Sequence, residues 1–161
     1  MEAFEGDDPT TAVLRINFHS LGCFHAVDYE FTFEFPGDNF LKVSVIEDVH
    51  QSLHGETESR VNRVKIGMVT LVGRDWERFM KLLDYYKGLV GSEGGCTTVD
   101  HLIFQKVVGE KALVLAEIED RTCGTHDRLD LLTFDEILDR VHQANHTISA
   151  PVDPIPPPHP K

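Results

Sequence analysis

Residues 29–48 read YEFTFEFPGDNFLKVSVIED, and the fold is decided there. Tyr29, Phe31, Phe33 and Phe35 alternate with Glu30, Thr32 and Glu34. A strict period of two is that of a strand with one face buried and one in water. Pro36-Gly37-Asp38-Asn39 is turn chemistry, since proline presets φ while glycine and asparagine accept the tight bend. Alternation resumes over Phe40–Asp48, with Leu41, Val43 and Val45 on one side. Two strands joined by a tight turn follow, and the face bearing Phe31 and Phe33 is predicted to lie under a helix.

Working outward, Ala12–Phe18 (AVLRINF) reads as a preceding strand. After a polar loop, HQSLHGETES, a further strand is predicted around Val64–Val72. From Arg74 the period changes. Trp76, Phe79, Met80, Leu83 and Tyr86 fall at helical spacing and form one apolar stripe, which reads as core and not as a stacking platform. Asp75 and Glu77 suit the N-terminal end of the helix dipole. The helix is predicted to end near Lys87, with Gly88 as its stop. The glycine-rich run Gly91–Thr98 reads as a linker.

The same order then recurs. His101–Val108 and Ala112–Asp120 read as strands around a Gly109-Glu110-Lys111 turn, and Arg128–Leu132 as a short third strand. Thr133-Phe134-Asp135-Glu136 has the form of a capping box, and Ile137, Leu138 and Val141 supply the apolar side of a second helix. A shift of 72 lays Tyr29–Asp48 on His101–Asp120 without a gap, with five identities in twenty positions, and a shift of 61 aligns the helices. The extra length in the first copy falls in a loop, where insertions are tolerated. The expected fold class is therefore α+β: two repeats of antiparallel strands followed by a helix (ββββα, then βββα), related by a pseudo-two-fold. Residues 1–149 form a single domain, with repeat one at about 12–88 and repeat two at about 99–147. Residues 150–161 form a proline-rich tail, expected to be disordered because it cannot build a core.

The chain has 161 residues, 41% hydrophobic and 26% charged. That is long enough to bury a core without staples. No apolar run reaches the length of a membrane span, and the acidic opening MEAFEGDDPTT does not resemble a signal peptide. An intracellular setting, nuclear or cytoplasmic, is expected, with Cys23, Cys96 and Cys123 reduced. The formal charge is −12, which on its own opposes nucleic acid or anionic membrane as a partner, because phosphate binding draws its affinity from Lys and Arg. The distribution is uneven. Arg60, Arg63, Lys65, Arg74, Arg78, Lys81 and Lys87 are opposed within their own stretch only by Asp75, Glu77 and Asp84.

The stretches FPGDNFLKVSVIEDVHQ and RVKIGMVTLVGRDWERFMKLL, joined by a polar loop, resemble the transcriptional coactivator family of positive cofactor four. Thr70-Leu71, Asp75 and Trp76 match its strand-to-helix signature, while Gly73 and Arg74 depart from it and Ile137 replaces the tryptophan in the second copy. The resemblance covers about residues 29–144. It implies a fold that binds single-stranded DNA or RNA across paired sheets, with the tandem copy acting as a one-chain pseudo-dimer, as in the similar Whirly and Pur-type proteins. It also implies that Lys42, Arg60, Arg63 and Lys65 are the contact residues. Such surfaces combine a basic groove with stacking on aromatic rings. Glu117, Glu119 and Asp120 occupy the corresponding strand of the second copy.

Two functions follow as expectations. The first is a non-enzymatic single-stranded nucleic-acid-binding module, a transcription or replication accessory factor. The alternative is an acidic protein–protein interaction module that does not bind nucleic acid, acting through its charged surface or its proline-rich tail. A homodimer through strand-edge pairing is compatible with either. Arg60, Arg63 and Lys65 also read as a solvated strand face that balances nearby acids. No P-loop, dinucleotide fingerprint or His-Glu-X-X-His is present, so neither enzyme chemistry nor a cofactor is expected. Cys23 and His25 with Cys123 and His126 lack a finger spacing, and no metal is expected there.

Overall fold

In a computed structural model, residues 12–22, 26–37, 40–51, 60–89, 96–122 and 129–148 are described. The order is β1 (Ala12–Leu21), β2 (Ala26–Gly37), β3 (Phe40–Gln51), β4 (Arg60–Val72), α1 (Arg74–Gly88), β5 (Val99–Val108), β6 (Lys111–Asp120) and α2 (Phe134–Ile148). The strands form one six-stranded sheet in the order β4-β3-β2-β1-β5-β6. Every neighbouring pair is antiparallel. The chain is thus α+β, with a four-strand meander that runs into α1 before β5 returns to the free side of β1.

Alternation dictates the layering. Phe31 and Phe33 are fully buried, and their cross-strand neighbours Ile16, Val43 and Val45 are equally sealed. Each such side chain contributes roughly 1.5–3 kcal/mol of burial. Phe79 of α1 stacks on Phe33 with ring centroids 4.6 Å apart. Phe134 of α2 lies 4.9 Å from Phe31. Both helices therefore cover the same face. Leu82, which the predicted stripe on α1 omits, is also buried, while Trp76 and Met80 are only partly so. One half of the capping box forms: the Glu136 amide donates to Thr133 Oγ1 at 3.3 Å, while the Glu136 carboxylate is turned to Arg78 and Arg140.

Four expectations are corrected or left outside. Residues 129–132 form no strand, so among the described residues the second half is ββα. The pseudo-two-fold is also corrected. Since β2 and β5 both run antiparallel to β1, they run parallel to each other on either side of it. A rotation laying β2-β3 on β5-β6 has its axis along β1, turns the sheet over and would put the helices on opposite faces. The alignment shows the same conflict, because a shift of 72 lays the buried Phe31 and Phe33 on Ile103 and Gln105. Those residues face away from the helices, between the helix-facing Leu102, Phe104 and Lys106. The shift of 72 is thus one residue out of face register, and a one-residue slip in a pleated strand exchanges its faces. Cys96 is disulfide-bonded, not reduced as expected, and its partner lies outside the described residues. The proline-rich tail, Cys23, His25, Cys123 and His126 also lie outside them. Among the described residues no helix is long and apolar enough to cross a membrane.

Candidate functional site: the helix-free face of the sheet

Because one face is sealed by helices, the polar half of each alternation lies on the other. Lys42, Arg63 and Lys65 all stand on this face, whereas Arg60's position in β4, opposite Gln51, falls in the helix-side register, so the predicted set of four is not brought together; the Arg60 side chain lies outside the described residues. Their register places them among acids. Lys42 Nζ donates to Glu34 Oε2 at 3.2 Å across the β2–β3 pair. Arg63 reaches both Glu30 Oε2 at 2.9 Å and Asp48 Oδ1 at 3.1 Å. Arg15 shares the same Glu30 from the other side at 3.6 Å. The carboxylates, the Glu30 hydrogen bond first, hold the Arg63 guanidinium above its ordinary pKa. Lys65 is exposed and has no ion pair among the described residues.

A second group lies at one end of the face. His19 and Asp28 are direct cross-strand partners, and His19 and His101 are partners on the other side of β1. His19 Nδ1 lies 2.5 Å from Asp28 Oδ1, and His50 Nε2 lies 2.8 Å from Asp28 Oδ2. One carboxylate thus joins imidazoles from two other strands. His101 Nε2 lies 2.9 Å from Glu117 Oε1. A pocket of about 180 Å³ opens here, lined in part by Asn17, His19, Asp28, Asp48, His101 and Ile103. Among the described residues no three His, Cys, Asp or Glu are arranged to hold a metal ion. The group is a hydrogen-bonding surface, rich in acceptors. Sequence reading missed it because His19, Asp28 and His50 lie on three strands and meet only once the register is known.

Among the described aromatic rings of the strands, Phe40 alone serves this face. Tyr29, Phe31, Phe33 and Phe35 belong to the core or pack against it. Phe40, at the start of β3, is exposed. Across the described face Arg15, Lys42, Arg63 and Lys65 are outnumbered by Asp28, Glu30, Glu34, Asp48, Glu117 and Glu119. Most of the helical half of the basic segment is engaged elsewhere. Arg78 donates to both Glu136 oxygens and to the Leu131 carbonyl, Arg74 pairs with Asp130, and Arg140 pairs with Asp75 and Glu136. These guanidiniums, with the Arg78 hydrogen bond first, hold Glu136 below the usual carboxylate range. They tie the helices together.

Compared with protein families, with curated proteins and with solved structures, the chain finds no match. The reading of this face rests on its own geometry.

Proposed function

We propose that this chain is a non-enzymatic binding module that presents the helix-free face of its sheet to a protein partner of basic character. One observation carries the reading: Lys42 and Arg63 are already paired to carboxylates of their own sheet, in a face where acids outnumber bases. A phosphate would have to displace those carboxylates, and a bound polyanion would lie against the remaining ones. A basic polypeptide meets acceptors already set out at the pleat spacing, and the −12 chain steers it in.

Polylysine and a single-stranded oligonucleotide, each labelled and titrated at low salt, separate the readings. Polylysine is expected to bind, to be released by salt, and to bind more weakly to the Glu117→Lys, Glu119→Lys double variant. Polylysine binding indifferent to that variant would overturn the assignment to this face.

Single-stranded nucleic acid is the second reading, favoured by the exposed Lys65 and Phe40 on strands that also carry Lys42 and Arg63. It carries with it the resemblance to positive cofactor four and the role of a transcription or replication accessory factor. Under it, the oligonucleotide binds, and Arg63→Glu with Lys65→Glu removes that binding.

A further inference from the structure

We propose that β6 pairs edge to edge with the β6 of a second copy of this chain, in antiparallel orientation. This edge borders the helix-free face and shares Val114, Glu117 and Glu119 with it, but the inference does not depend on which partner that face takes.

Among the described residues β6 is the last strand of the sheet and has β5 as its one neighbour, so one side of its backbone has no strand partner there. Its side chains are also bare. From Lys111 to Leu115 every residue is exposed, with Leu113 at 62% and Val114 at 55%. Leu113 follows the helix-facing register and Val114 the opposite one, so apolar surface is open on both sides of the same edge. Val108 at the end of β5 adds to it. Soluble proteins blunt such edges with charges, bulges or a covering element. Each edge here has one bulge, at Ile66 in β4 and at Leu115 in β6; β4 adds a covering contact, Asn145 of α2 donating to the Ile66 carbonyl.

The order of residues in β6 names the occupant. KALVLAEIED has its one base, Lys111, at the start, its acids Glu117, Glu119 and Asp120 at the end, and Ala112–Ala116 apolar between them. Antiparallel pairing with itself sets apolar middle on apolar middle and Lys111 beside the acidic end of the partner subunit, twice over. Parallel pairing would set acid on acid. A strand complementary to its own reverse is what a two-fold interface requires. The bulge in β6 falls at Leu115, between Val114 and Ala116, close to where the axis would pass. The chain's proline-rich residues 150–161 are poor rivals, since proline offers no N–H to a ladder.

Light scattering coupled to size exclusion, run on the full chain across a concentration series, is the test. The mass of two chains is expected at high concentration, dissociating on dilution. Leu113→Lys, at a position too exposed to matter to the monomer's fold, is expected to yield a folded monomer by circular dichroism. Val114→Lys, on the other face of the same edge, is expected to weaken the dimer about tenfold or more, since both faces of the edge carry apolar contacts across the pair. A wild-type monomer at every concentration overturns the proposal. So does a dimer that survives both Leu113→Lys and Val114→Lys.

Discussion

The two edges of this sheet are built on opposite plans. At β4 the helix layer closes over the edge: Gly67 lies beneath α2, where an added Cβ would sit 2.6 Å from Asn145 and 2.8 Å from Val141. Leu71 on the same strand is fully buried. At β6 no helix reaches the first five residues, and a leucine in the helix-facing register, Leu113, is mostly in solvent. The cover on β4 is local, at Gly67 and Leu71, while Val61, Val64, Met68 and Val72 of the same strand stay exposed; the first half of β6 has no such covered stretch among the described residues. In an antiparallel sheet an edge can be covered or paired.

The contrast can be broken most severely by making one substitution on both sides. Leu71→Ala is expected to cost about 2–5 kcal/mol in urea unfolding, as a buried leucine lost from a packed core does. Leu113→Ala, at a concentration where the chain is monomeric, is expected to cost no more than about 0.5 kcal/mol. Equal losses would erase the distinction between the edges. Reduction of the Cys96 disulfide is expected to cost about 2–4 kcal/mol. Its effect should concentrate on β5 and β6, since the Cys96 amide donates to the Arg121 carbonyl just beyond β6. Thiol titration of the native chain should find one reactive cysteine of the three.

Gly67→Ala is expected to cost about 1–3 kcal/mol through overpacking under α2, with a normal fold at β6. A crystal structure or amide spectra of the variant would show whether the shift stays at the β4 side.

The smallest effect concerns acid. Glu136 and Asp130 are held below their ordinary values by the arginines of the helix network, the hydrogen bonds from Arg78 and Arg74 leading. A carboxylate whose folded pKa is depressed contributes stability above its ordinary value, and loses it as pH falls through the folded one. Stability is therefore expected to decline on acidification below about pH 4.5, the ordinary value for a glutamate. The decline should be shallower in Arg78→Met, and an unchanged slope would remove the network from the account.

Much of the helix-facing half of the molecule was legible beforehand. YEFTFEF states its own buried face, and Thr133 with Glu136 states a helix start, because both signals are local. What failed was long-range. The repeat alignment preserved the run of turn and strand but was blind to which face each residue serves, so a shift that exchanges the faces passed as a repeat. The bases at Arg74 and Arg78 looked like part of one electropositive segment, since their partners Asp130 and Glu136 lie more than fifty residues away in sequence. Glu30 and Glu34 were legible as the polar side of a strand. That they would neutralise Arg63 and Lys42 depended on the β2–β3–β4 register, which no local pattern states. The disulfide at Cys96 was equally invisible to composition.

Backbone amide exchange, followed residue by residue at low and high protein concentration, addresses the difference between the edges most directly. At low concentration the outer amides of β6 are expected to exchange quickly while those of β4 near Gly67 are protected; raising the concentration should slow β6 between Ala112 and Ala116 and leave β4 unchanged. Exchange at β6 that ignores concentration, or protection that grows at β4 instead, would contradict the assignment of an open, self-pairing edge.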